Sequence, residues 1–179
     1  MTNLRKKNIG IIFGGESNEH DVSIASSKAI YKAFNSKLNL QKFNIKVFYI
    51  NKNGVWFNND DSKEILKDNK NAYTKLNEQN ELNNLNFLEK IDFSDIEIWF
   101  PVIHGSFGED GTIQGLLKFT KKPFIGSGVL GSSLGMDKIA MKSILSDLKI
   151  PQVKYIPVDN FKKNDSKQIV NICTQIVDN

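Results

Sequence analysis

Two short apolar runs, NIGIIF at residues 8–13 and IEIWFPVI at 96–103, each break off into a glycine-bearing loop, and a helical pattern follows each loop. Brief apolar runs rich in β-branched residues read as strands buried on both faces. Strands joined through helices lie parallel, because a parallel pair needs a long crossover. The expected class is therefore α/β, with a mostly parallel sheet covered on both faces. In such sheets ligands bind beyond the carboxyl ends of the strands. The two loops are the first places to look for chemistry.

The remaining pattern fits this frame. Val22, Ala25, Ala29, Ile30 and Ala33 predict one apolar face on a helix over 22–34, with Asp21 as its cap. A second strand is expected at 45–50. The NKNG turn at 51–54 predicts a hairpin to a short strand at 55–57. Residues 58 to about 90 are heavy in Asn, Lys, Asp and Glu, and read as a polar insertion with little core and one or two surface helices. The strand at 96–103 contains Pro101, whose missing N–H has to fall at the end of the pairing. Helices are expected at 112–119, 129–136, 138–148 and 166–177, and short strands at 123–125 and 153–157. Cys173, between Ile172 and Ile176, is expected in core.

Composition narrows the function. The 179 residues are 40% hydrophobic, which supports a real core. Lys and Arg number 24 against 20 Asp and Glu, a net charge of +4. That excess suits an anionic substrate such as a nucleotide, but no basic stripe marks a nucleic-acid site. One cysteine excludes a disulfide within the chain and suits a reducing compartment. No apolar stretch has the length of a membrane span, and the opening residues lack a signal-peptide pattern. A cytoplasmic protein is expected. Two histidines exclude a histidine-rich metal site within one chain, and neither zinc spacing nor a G-x-S-x-G elbow occurs.

Three segments bear chemistry. In FGGESNEHDVS, 13–23, Gly14 and Gly15 let backbone approach a ligand, but neither G-x-G-x-x-G nor a P-loop is present. Glu19 in that loop suits a substrate ammonium; alternatively, Glu19 and Asp21 offset the positive end of the helix. In HGSFGEDGTIQG, 104–115, His104 stands at a strand end, where it can donate to a substrate carboxylate or serve structure alone. Glu109 and Asp110 can fix that loop. In GSGVLGSSLGMDKIAMK, 126–142, Lys138 and Lys142 either meet phosphates or form a solvated helix face.

Taken in order, these segments resemble the D-alanine–D-alanine ligase family. The first is similar to its G-G-x-S-x-E-H-x-V-S signature at Gly14, Gly15, Ser17, Glu19, His20, Val22 and Ser23. The second is similar to H-G-x-x-G-E-D-G-x-x-Q-G from His104 to Gly115, and the third to G-S-x-x-x-x-S-x-x-M-D-K at Gly126, Ser127, Ser132, Met136, Asp137 and Lys138. The resemblance implies a Rossmann-like pre-ATP-grasp domain over 1–126 and the beginning of an ATP-grasp domain over 127–179. It implies ATP-dependent joining of two D-alanines through an acyl phosphate, for peptidoglycan precursor synthesis. Glu19 and His104 are the implied catalytic pair. Glu19, Val22, Ser23, His104 and Glu109 are implied at the substrate, with Ser23 ordering the first loop, and Lys138 at the nucleotide phosphates. ATP and magnesium are implied, with magnesium ligands expected beyond residue 179, as is a homodimer. Family members run much longer, so a truncated chain, inactive alone, is expected. Two other readings remain: a non-catalytic binding or dimerisation module, and a D-alanine–D-lactate type ligase. A nicotinamide-dependent Rossmann enzyme is disfavoured by the missing G-x-G-x-x-G.

Overall fold

The structure is a computed structural model that describes residues 5–79, 92–158 and 166–178. Its elements are β1 (Lys7–Gly14), α1 (His20–Phe34), β2 (Phe43–Ile50), α2 (Asn59–Leu66), α3 (Lys70–Asn77), β3 (Ile98–Pro101), α4 (Thr112–Phe119), α5 (Val129–Met136), α6 (Lys138–Asp147) and α7 (Ser166–Asp178). Among the described residues the sheet has three strands in the order β2-β1-β3, all parallel. In register, Ile9 stands opposite Ile45 and Ile98, and Ile11 opposite Val47 and Phe100. The α/β class and the parallel sheet are as the sequence led us to expect.

Side chains alternate across the sheet, as the two-residue period of a strand requires. Ile9, Ile11 and Phe13 of β1 join Val47 and Tyr49 of β2 on one face, beneath Ile24 of α1 and Ile65, Leu66 and Leu76 of α2 and α3. Ile12, Phe48, Ile50 and Trp99 form the other face, under Ile113 and Leu117 of α4. Gly10 falls on that second face, where a Cβ would stand 2.6 Å from the Trp99 ring. The central strand thus carries no side chain at the one position where the indole lies against it.

Several elements differ from expectation. Residues 58–79 form two helices, as the sequence allowed, but bring more core than expected: Ile65 and Leu76 are buried to 2% and 5% exposure, and Ser62 to 0%. The part of that segment from 80 to 91 lies outside the described residues. Asp21 does not cap α1. Its carboxylate instead accepts from the Tyr73 hydroxyl at 3.0 Å and lies 3.5 Å from the Lys52 ammonium. Residues 55–57 and 123–125 pair only through single bridges, Ile50 with Trp56 and Trp99 with Phe124. The strand expected over 96–103 is confined to Ile98–Pro101. Pro101 occupies the last paired position, opposite Ile12, and the Val102 N–H then donates to the Ile12 carbonyl at 2.8 Å. The proline therefore removes no ladder bond inside the pairing. Residues 153–157 have no regular structure, for no described strand of their unit offers them a partner. Cys173 is exposed, not core.

Contacts divide the chain into two units, Met1–Met136 and Asp137–Asn179. The second begins with α6, whose first turn is capped by the Asp137 carboxylate, accepting from the N–H groups of Ile139 and Ala140. Within it, the Lys142 ammonium lies 4.7 Å from the centre of the Tyr155 ring. No described helix is long and apolar enough to cross a membrane.

Candidate functional site

Chain direction brings the loop after β1 and the loop after β3 to one edge of the sheet. A fully buried serine binds them together. The Ser23 hydroxyl, on the first turn of α1, accepts from the Gly14 N–H at 2.8 Å and donates to the Val102 carbonyl at 2.5 Å. Farther out, the Ser17 hydroxyl donates to the His104 carbonyl at 2.6 Å. The two loops therefore meet twice, once in the core and once at the rim.

Glu19 lies at this second meeting point. Gly105 has φ +73°, and a Cβ there would stand 3.1 Å from Ser17 Oγ and 3.7 Å from Glu19 Oε1. Glycine adopts that conformation without strain, and a side chain there would press on Ser17. The Glu19 carboxylate is exposed beside the residue that follows His104. The His104 imidazole points its Nε2 at Ser26 Oγ, 3.2 Å away on the next turn of α1, and its Nδ1 lies 3.8 Å from Glu109 Oε1.

The acids of the second loop hold its backbone. Glu109 Oε2 accepts from the Gly105 N–H at 3.2 Å. Asp110 accepts from the N–H groups of Phe107 and Thr112 at 2.9 and 3.0 Å. Partial burial would raise the Asp110 pKa, but these N–H bonds outweigh it and leave the group below its usual value. Gln114 completes the loop by donating to the Gly108 carbonyl at 2.8 Å.

Of the residues singled out in the sequence, Glu19, Ser23, His104 and Glu109 gather at this edge. Ser23 spends its hydroxyl on two protein partners, so it acts as a link between strand ends. Val22 sits on the first turn of α1 and is 53% exposed. Lys138 opens α6, in the second unit. Three participants had no role assigned from the sequence. Ser17 bridges the loops, Ser26 meets His104, and His20 is buried with its Nδ1 2.6 Å from the Gly15 carbonyl oxygen. Ser26 had a readable signal, since it follows Ser23 by three residues on one helix face. Among the described residues no group of three His, Cys, Asp or Glu side chains is placed to hold a metal ion. Chemically, the edge offers the exposed Glu19 carboxylate against Gly105 and, one residue back on the same loop, the half-buried His104 imidazole, two groups of the kinds that suit the opposite charges of a zwitterion.

Comparison with known proteins agrees with this architecture. The family described as D-ala D-ala ligase N-terminus matches residues 8–127. A D-alanine–D-alanine ligase of Prochlorococcus marinus subsp. pastoris is 52% identical over 179 residues, which cover 99% of this chain and 50% of that protein. Among solved structures, the D-alanine–D-alanine ligase of Coxiella burnetii superposes with TM-score 0.73 at 26% identity, over 97% of this chain and 49% of the other. The VanG D-Ala:D-Ser ligase of Enterococcus faecalis does so with TM-score 0.65 at 29% identity, over 96% and 50%. The chain spans about half the length of the relatives it matches.

Proposed function

The chain belongs to the D-alanine–D-alanine ligase family by its N-terminal region, and from that premise we propose that its protein joins two D-alanines at the expense of ATP, in the cytoplasm, to supply a peptidoglycan precursor. In this reading ATP transfers its terminal phosphoryl group to the carboxylate of the first D-alanine, giving an acyl phosphate and ADP. The amine of the second D-alanine attacks the acyl carbon, inorganic phosphate leaves, and a peptide bond remains. Residues 1–126 form the pre-ATP-grasp domain and 127–179 open the ATP-binding domain. A homodimer is the assembly we propose.

Each residue takes a role suited to its chemistry. Glu19 holds the ammonium of the first D-alanine by charge-assisted hydrogen bonds. His104 donates to a carboxylate or reaction-centre oxygen of the same molecule. Glu109 keeps the second loop in shape through the Gly105 N–H. Val22 borders the substrate from α1, and Ser23 holds the strand ends together beneath it. Lys138 meets the nucleotide phosphates as a point charge. Magnesium neutralises phosphate charge when bound, and its ligands are assigned outside the described residues.

The observation that carries this reading is the closure of the rim: Ser17 bonded to the His104 carbonyl, with the Glu19 carboxylate against Gly105. It supports one zwitterion-sized site made from both loops. The test is D-alanine titration of the isotope-labelled 179-residue chain, followed through backbone amide resonances. Glu19 and Gly105 amides are expected to move together. Glu19→Gln keeps the shape and removes the charge, so affinity is expected to fall about tenfold or more. Unchanged affinity in Glu19→Gln would remove Glu19 from the role.

A further inference from the structure

A polar chain, buried at His20 and Tyr49 and half-buried at Asn77, runs from α3 to the Glu19 turn, and the role proposed for that turn makes no use of it. The His20 imidazole is 1% exposed. Its Nδ1 lies 2.6 Å from the Gly15 carbonyl oxygen and its Nε2 lies 3.0 Å from the Tyr49 hydroxyl. Tyr49, fully buried on β2, reaches on to Asn77 Oδ1 at 3.0 Å. The other partners of Asn77 fix which way its amide faces. Its Nδ2 donates to the Tyr73 carbonyl at 3.0 Å, and its Oδ1 accepts from the Lys52 N–H at 3.3 Å.

The protons along this chain can be counted. The Gly15 carbonyl only accepts, so His20 Nδ1 carries a proton. In a neutral imidazole Nε2 is then an acceptor, and Asn77 Oδ1 is an acceptor too. Tyr49 has one hydroxyl proton for both. A buried acceptor left without a donor is costly, so the buried His20 Nε2 draws on that proton, while half-buried Asn77 Oδ1 also accepts from the Lys52 N–H; His20 and α3 thus share the Tyr49 hydroxyl. The titratable groups facing the ring are Tyr49 on β2, Tyr73 on α3, Asp21 on its own helix and Lys52 after β2. Burial of the ring is the largest influence and disfavours a second ring proton; the Gly15 carbonyl favours it, Lys52 opposes it and Asp21 favours it.

We propose that His20, Tyr49 and Asn77 form a positioning relay through which α3 sets the place of the Glu19 carboxylate. The proposal rests on the substrate role given to Glu19. His20 follows Glu19 directly, and its ring grips the carbonyl of Gly15. Both ends of the turn 15–20 are thereby fixed to one imidazole, and that imidazole is fixed through Tyr49 to a helix in the segment read from sequence as a solvated insertion. His20 touches no reacting atom in this assignment; it acts through the turn.

The test uses the labelled 179-residue chain with three variants, read by His20 ring-nitrogen shifts, by the amide shifts of residues 16–19, and by D-alanine titration. Asn77→Leu deletes the acceptor at the far end of the relay. Asn77→Asp keeps an acceptor there. Tyr49→Phe removes the shared proton while keeping the ring, and spectral dispersion checks folding in each. Asn77→Leu is expected to move the His20 Nε2 resonance and the amides of 16–19, and to weaken D-alanine binding about two- to thirtyfold. Asn77→Asp is expected to return the amides toward their wild-type positions. The relay is overturned if Asn77→Leu and Tyr49→Phe both leave those amides and the ring shifts unchanged. If the wild-type chain shows no response to D-alanine, the role of Glu19 fails, while the ring and amide shifts still decide the relay.

Discussion

Ser23 and His20 are both small polar investments in a dry interior, and they behave differently. The Ser23 hydroxyl satisfies a buried N–H and a buried carbonyl at once. Alanine at that position leaves both without a partner, each costing about 1–3 kcal/mol. Ser23→Ala is therefore expected to lower the unfolding free energy by about 2 kcal/mol or more, measured by urea denaturation. Ser26→Ala removes one half-buried contact and is expected to cost less than about 1 kcal/mol; equal losses would show that Ser23 does not link the strand ends. His20 gives a pH dependence. Burial holds its pKa below the ordinary 6.5, so folding favours the neutral ring. The stabilisation is complete above the unfolded value and is lost as pH falls through the lowered folded one. Unfolding free energy is expected to decline on going from pH 7.5 to about 5.5, and His20→Gln to flatten that slope. The shifted carboxylates lie lower: the Tyr73 hydroxyl heads the influences that depress Asp21 beside the ring, and at the opposite end of β1 the Asn8 N–H heads those that bring Glu97 to about 2. A slope that survives His20→Gln intact would assign it elsewhere. At this scale Glu19 and His104 were legible because a charge or an imidazole in a glycine loop is conspicuous. The bridging hydroxyl of Ser17 was not, because serine there reads equally well as loop filler.

The helices α2 and α3 show where a local reading misleads. Their abundant asparagines suggested a solvated insertion, yet Asn58 caps α2 by accepting from the N–H groups of Asp60 and Asp61, and Asn69 caps α3 through Ala72. Asparagine is a strong N-cap, so residues that read only as polar composition mark where the two helices start. Each helix is only eight residues long, too short for apolar periodicity to be persuasive. Their stability comes from packing on the sheet. Leu76→Ala is expected to destabilise the first unit by about 2–5 kcal/mol, detected as a lower urea midpoint. A cost under about 0.5 kcal/mol would restore the description of the segment as surface. The strands were legible for the opposite reason, since β1 is an unbroken apolar run with no competing interpretation. What the run could not disclose is its order in the sheet, because placing β1 between β2 and β3 depends on contacts between distant residues.

For the whole molecule, the telling contrast is between the two units. The first has a sheet with apolar residues buried on both faces. In the second, no residue of α6 is buried, and Ile139, Ile144, Leu148 and Val153 are between 41% and 79% exposed. The strand pattern led us to expect burial on both faces of the sheet, but the motifs do not mark where the contacts divide: MDK at 136–138 reads as one continuous signature, while the division falls between Met136 and Asp137. A motif records chemistry along the chain, and a boundary records which residues share a core. Amide exchange separates these alternatives. Hydrogen bonds of β1 can open only with the core, whereas those of α6 open without exposing buried apolar surface. In the 179-residue chain, amides of Ile11 and Ile12 are expected to exchange slower than those of α6 by roughly two orders of magnitude or more. Denaturant should accelerate the former steeply and the latter hardly at all, because only the former exposes a large surface. Equal protection and equal denaturant dependence would mean that both units unfold together. The exposed faces of the second unit would then contribute to stability in a way that burial within this chain does not explain.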